Sequence, residues 1–133
     1  MTLQDTVTVP STPDGVGRAL DFLEATLAAG KIPELMHAPV HLAVDEALQN
    51  IISYSGAAAI TLMIEAADAY VAVTIADDGE PFDPLTAPAP DVTAGLDERE
   101  VGGLGIYLIR QSMDEVSYTY RDEKNVLRLV KRP

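Results

Sequence analysis

The chain has 133 residues, 47% of them apolar, with no cysteine and a formal net charge of -12. That length suits one domain with a buried core, and that apolar fraction argues against disorder. The acidity opposes contact with phosphate backbones and anionic lipid, and the missing cysteine removes disulfides, thiol nucleophiles and thiolate metal sites.

No apolar run approaches membrane-span length and no secretory pattern opens the chain, so residues 1–133 read as a single cytoplasmic domain. Neither nucleic acid nor a membrane is an expected direct partner.

Residues 3–10 (LQDTVTVP) alternate as a short edge strand ending on Pro10. A helix follows, capped by Ser11 or Thr12, with Pro13 in its first turn and Gly30 at its end. Val16, Leu20, Leu23 and Leu27 form its inward stripe, while Gly15 and Gly17 weaken its start. The run APVHLAVDEALQNIISYSG predicts a second helix with Pro39 in its first turn. Its apolar face is Val40, Ala43, Val44, Ala47, Leu48 and Ile51. His37 and His41 stand at helical spacing without a further ligand pair, so no structural metal site is expected there.

ITLMI and YVAVTI read as two strands joined near residues 66–69, and residues 114–132 as a final hairpin. Between the pairs, PFDPLTAPAPDVTAGLDEREVGG is rich in proline, glycine and acid with little periodicity, as a lid or binding loop would be. GLGIYLIRQSM then reads as a short helix that starts on glycines. Helices and antiparallel strands together predict an α+β sandwich, one sheet with helices on one face.

Three constellations stand out. Glu46 and Asn50 lie one helical turn apart on the shoulder of the second helix. A glutamate can deprotonate a hydroxyl, and an amide oxygen is a hard ligand suited to Mg2+. Next, the strand ending in Asp77 runs into Asp78 and Gly79. Asp-Gly is a turn former, but a carboxylate at the end of a buried strand can also accept from an exocyclic amine such as that of adenine. Gly79 would let a flat ring approach the backbone. Finally, Gly102, Gly103 and Gly105 lead into a helix whose free N–H groups favour an anion. Neither a P-loop nor the dinucleotide fingerprint is present.

In that order the three resemble the GHKL superfamily of ATP-binding domains. DEALQN resembles its N box, DDGEPFDP its G1 box and GGLGIYLIRQSMDEVSY its G2 box. PFDP and the run IRQSMDEVSY look most like the anti-sigma-factor serine/threonine kinase branch, over about residues 42–132. The resemblance implies a Bergerat-type two-layer α/β sandwich with a mixed, mostly antiparallel sheet, and an ATP lid over about residues 84–102. It implies ATP and Mg2+ as cofactors, Glu46 as general base and Asn50 as Mg2+ ligand. Asp77 would hold adenine with Gly79 beneath the ring, and Gly103, Leu104 and Gly105 would cradle the phosphates. The function implied is a protein kinase that acts as an anti-sigma factor in a partner-switching pathway. Its substrate would be a small anti-sigma-factor antagonist and its second partner a sigma factor; homodimers are common in the branch.

Two departures are visible. Tyr54 stands where the family often has histidine, and cations for the γ-phosphate are scarce, with Arg18, Arg99 and Arg110 as candidates. The scarcity keeps a second expectation open, a nucleotide-responsive protein-interaction module lacking useful kinase activity.

Overall fold

Period-two alternation places one face of each strand against the helices. In the strand Ala59–Ala66 (β2), Ile60, Leu62 and Ile64 are fully buried, while the residues between them lie half-exposed on the other face. The computed structural model describes residues 2–86 and 101–133; for residues 86 and 101–105 only the backbone is described. Around β2 lie β1 (Leu3–Pro10), β3 (Val71–Asp77), β4 (Glu115–Arg121) and β5 (Lys124–Lys131). Sheet order is β1-β2-β3-β5-β4, so β1 is an edge strand as expected. The sheet is antiparallel at every pairing. Asp122 and Glu123, with φ of 54° and 62°, turn the last hairpin.

Helices α1 (Pro13–Ala29), α2 (Glu34–Asn50) and α3 (Val101–Ser112) share one core with the inward strand residues. Val16, Leu23 and Leu27 of α1 are buried, and the expected apolar face of α2 is buried in full. Glu24 of α1 ties to α2, with His41 Nδ1 2.7 Å and His37 Nδ1 3.8 Å from its two carboxylate oxygens. Among the described residues no helix is long and apolar enough to cross a membrane.

Two helix boundaries differ from expectation. α2 begins at Glu34, so Pro39 lies inside it rather than in its first turn. Pro39 offers no N–H to the Leu35 carbonyl four residues back. Leu35 is 92% exposed, so water can reach that part of the helix, which makes the missing bond tolerable. At the other end, the helical run does not continue unchanged through Tyr54. It widens into a π turn over Ile51–Ser55, closed by Gly56 at φ 67°.

Thr12 is the cap of α1, its hydroxyl accepting the Gly15 N–H at 3.0 Å. The two glycines that weaken this start separate in the structure. A Cβ on Gly15 would stand 1.9 Å from the Pro10 carbonyl oxygen, whereas one on Gly17 would meet nothing within 4 Å. Gly15 is therefore the contact that lets α1 turn back onto the end of β1.

Gly15→Ala should destabilise the fold by about 2 kcal/mol through overpacking. Gly17→Ala should stabilise it by about 0.5–1 kcal/mol, because alanine is the better helix residue and nothing obstructs it. Urea denaturation of both variants checks the opposite signs.

Candidate functional site

Cross-strand register builds the site. Ile60, Asp77, Asn125 and Tyr120 lie opposite one another in one row across β2, β3, β5 and β4. Apolar neighbours fill most of the inward face, so two polar residues in that row need partners. Asp77 and Asn125 are each 4% exposed and find one another, with Asn125 Nδ2 donating to Asp77 Oδ1 at 3.0 Å.

Asn125 binds the turn after β3 from several sides. Its Nδ2 also donates to the Glu80 carbonyl at 2.8 Å, and its Oδ1 accepts the Phe82 N–H at 2.8 Å and the Tyr118 hydroxyl. The Gly79 N–H donates to Asp77 Oδ1 at 2.9 Å. Asp77 Oδ2 makes no hydrogen bond among the described residues.

The neighbouring acid has another role. Asp78 Oδ1 accepts the N–H groups of Ala58 at 2.8 Å and Ala59 at 3.1 Å. These backbone bonds, Ala59 first, lower its pKa from 3.8. Asp78 thus fastens the start of β2. The lack of a side chain at Gly79 serves packing within the protein, because a Cβ there would stand 2.3 Å from the Ser55 carbonyl oxygen. That same carbonyl accepts the Glu80 N–H at 2.8 Å. The π turn and the turn after β3 are therefore in direct contact.

A narrow cleft, with a cavity volume of about 20 Å3, opens between α2 and this turn, lined by Asn50, Asp77, Phe82, Pro84, Tyr118 and Asn125 with apolar neighbours. Tyr54 of the π turn stacks on Phe82, ring centroids 5.4 Å apart and planes at 21°. Asn50 is 6% exposed, its Nδ2 is enclosed without a partner, and its amide oxygen makes no hydrogen bond among the described residues either. Glu46, one turn earlier, does not line the cleft. It makes no hydrogen bond or ion pair among the described residues, and burial first, then the adjacent Asp45 charge, raises its pKa above 4.5.

The structure thus brings Asn50 and Asp77 together, with Glu46 beside them on α2. Gly103 falls in the first turn of α3, where backbone N–H groups lack intrahelical partners, and Leu104 and Gly105 follow it in the helix. Most of the lid expected over about residues 84–102 lies outside the described residues, as does Arg99. Arg110 donates to the Leu85 carbonyl at 3.1 Å. Sequence reasoning missed Asn125, Tyr118 and Phe82. The readable signal was an asparagine in register with the inward residues Leu127 and Leu129.

The donor set suits a Mg2+ ion that takes one protein oxygen and draws the rest from phosphates and water. The buried amide of Asn50 is unpartnered, and its two ends are interchangeable by a flip that presents oxygen to the cleft.

Comparison with known proteins follows the same line. A model of the histidine kinase-like ATPase domain matches residues 9–131. Serine/threonine-protein kinase BtrW of Bordetella bronchiseptica is 34% identical over 132 residues, covering 96% of this chain and 90% of the relative. Among solved structures, the RsbU and RsbW domains of Rv1364c from Mycobacterium tuberculosis superpose with a TM-score of 0.70 at 15% identity. That match covers 98% of this chain but 32% of the other. The Acinetobacter baumannii histidine kinase AdeS gives 0.53 at 14% identity, covering 96% and 67%. At such identities the likeness is of fold alone. The superfamily that the motifs resemble is borne out, with a serine/threonine-protein kinase among the relatives.

Unpaired polar groups cost a fold stability. Asn50→Leu should raise the unfolding free energy of the ligand-free protein by about 1 kcal/mol, because the buried amide has nothing to bond. Glu46 has a folded pKa above its unfolded value, so its contribution to stability is most favourable below pH 4.5 and falls as pH rises through the folded value. Glu46→Gln should therefore raise the melting midpoint at pH 7, and the gain should vanish on acidification below 4.5. Thermal melts across pH measure this; a gain that persists in acid contradicts it.

Proposed function

Because the chain belongs to the histidine kinase-like ATPase domain family, we propose that it is an ATP-dependent serine/threonine protein kinase of the partner-switching type. Its substrate is a serine or threonine on a small anti-sigma-factor antagonist, and its second partner is a sigma factor that it sequesters in the cytoplasm. One observation carries this reading. Among the described residues, an unpaired carboxylate of raised pKa and a buried, unpartnered amide stand one turn apart on α2, beside a cleft whose far side offers an open carboxylate oxygen.

In this reading Asp77 Oδ2 accepts the exocyclic amine of adenine, and Gly79 contributes its N–H to Asp77 Oδ1. The phosphates lie toward the start of α3, where Gly103 presents a free backbone N–H and Leu104 and Gly105 continue the helix behind it. Asn50 supplies an oxygen to Mg2+, which when bound neutralises phosphate charge. Glu46 takes the proton of the substrate hydroxyl; that oxygen bonds the γ-phosphorus, and the bond from γ-phosphorus to the bridging oxygen breaks to release ADP. A carboxylate held above its ordinary pKa is the stronger base for this step.

The alternative is a nucleotide-responsive interaction module without useful kinase activity. One observation favours it: Arg110, a candidate cation for the γ-phosphate, instead binds the Leu85 carbonyl.

Calorimetry with Mg-ATP should give saturable binding, weakened about tenfold or more in Asp77→Asn through loss of a charge-assisted acceptor. Glu46→Ala should keep ATP affinity within about threefold while phosphotransfer to a serine-bearing antagonist domain falls about 10²–10⁴-fold. Equal transfer by wild type and Glu46→Ala would sink the kinase reading.

A further inference from the structure

Asn125 belongs to none of the motifs that mark this family in the sequence, yet its amide has no free valence. Both hydrogens of Nδ2 are used, on Asp77 Oδ1 and the Glu80 carbonyl, and Oδ1 takes two donors, the Phe82 N–H and the Tyr118 hydroxyl. The orientation of the amide is thereby determined. Flipping it would set an oxygen against the Asp77 carboxylate and the Glu80 carbonyl, and an NH2 group against two donors.

The consequence falls on Asp77. Oδ1 receives the Gly79 N–H at 2.9 Å and Asn125 Nδ2 at 3.0 Å, which occupies both of its in-plane lone pairs. Oδ2 has no partner among the described residues, and Asp77 lines the cleft. The site therefore offers a base one acceptor oxygen, not two. That difference separates the purines. Adenine presents a single exocyclic amine donor at the position where guanine carries the acceptor O6. Guanine could still satisfy a carboxylate by turning its N1–H and N2–H toward both oxygens as a parallel pair, the bidentate geometry that a free carboxylate accepts. With Oδ1 saturated, one of those two donors is left buried and unpaired.

We propose that Asn125 is a specificity-determining positioning residue, which closes Oδ1 of Asp77 and so makes the cleft select adenine over guanine nucleotides. It acts through Asp77 without touching the base. The proposal rests on the nucleotide-binding reading above and adds to it the origin of base choice.

Two arms test it by calorimetry on the full chain. In the wild type, ATP should bind at least about tenfold more tightly than GTP. GTP should bind no more tightly than ITP, which lacks only the guanine N2 amine, because no acceptor is open for that amine. GTP binding about tenfold more tightly than ITP would show both oxygens open and overturn the proposal, with no variant needed.

The second arm compares Asn125→Thr with Asn125→Val. The two side chains have nearly the same shape and suit a strand, but only threonine can donate to the carboxylate directly opposite. Both lose the bonds to Glu80 and Phe82, so absolute affinity should fall in each. The ATP-to-GTP ratio should survive in the threonine variant and drop about tenfold in the valine variant, with GTP gaining over ITP there. A ratio unchanged in both would reduce Asn125 to a clamp on the turn and refute the proposal. Wild type that binds no nucleotide at millimolar concentration would instead remove the nucleotide-binding reading itself.

Discussion

The hydrogen bond between Asn125 and Asp77 joins two polar side chains on the inward face of the sheet, where their row would otherwise continue the core. From that bond the loop after β3 acquires its shape, since the same amide holds Glu80 and Phe82. Phe82 in turn meets Tyr54, and the Glu80 N–H reaches Ser55, so the turn is fixed to the end of α2 as well. Asn50 lies just before that end. A single cross-strand pair therefore sets the distance between the two halves of the site. A buried amide with every valence filled, as that of Asn125 is, gives rigidity of this kind.

Against that saturated Asn125 amide, α2 carries groups that the described residues leave unsatisfied. Among the described residues the Asn50 amide is enclosed without a partner, and Glu46 is partly desolvated without a counter-charge. Within the folded chain alone both are liabilities. They become intelligible once a ligand supplies the missing partners, and this contrast between closed and open valences locates the functional face better than cleft size does. Stability given up at a site and recovered on binding is a common arrangement in enzymes.

The charge distribution adds a constraint. Arg121, Lys124, Arg128, Lys131 and Arg132 all lie in the final hairpin or just beyond it, away from the α2 face in the sequence. Arg132 pairs with Glu115, and Lys131 lies 3.8 Å from Asp114, so these cations answer local acids. A protein of net charge -12 opposes a bare polyphosphate. A bound nucleotide would thus depend on a metal ion and on backbone N–H groups, which carry no side-chain charge to be read from composition.

The sequence by itself determined the order of strands and helices, the buried stripe of α1, the apolar face of α2 and the edge position of β1, because each is written in a short-range period. It also marked Glu46, Asn50 and Asp77, since their spacing within motifs is local. Pro39 and the end of α2 were misplaced, because a proline is as compatible with a solvated helix interior as with a first turn, and a π turn leaves no periodic signature. Gly15 and Gly79 could be seen as glycines, but their reasons could not. One clears the Pro10 carbonyl and the other Ser55, contacts that exist only after distant segments pack. Asn125 is the clearest case. Its partners Asp77 and Glu80 lie 48 and 45 residues away in the chain, and only the register of β3 on β5 brings them together. Local pattern specified which groups could do chemistry. Tertiary pairing decided which of their hydrogen-bonding valences are filled from within the chain, and therefore which remain open for a ligand.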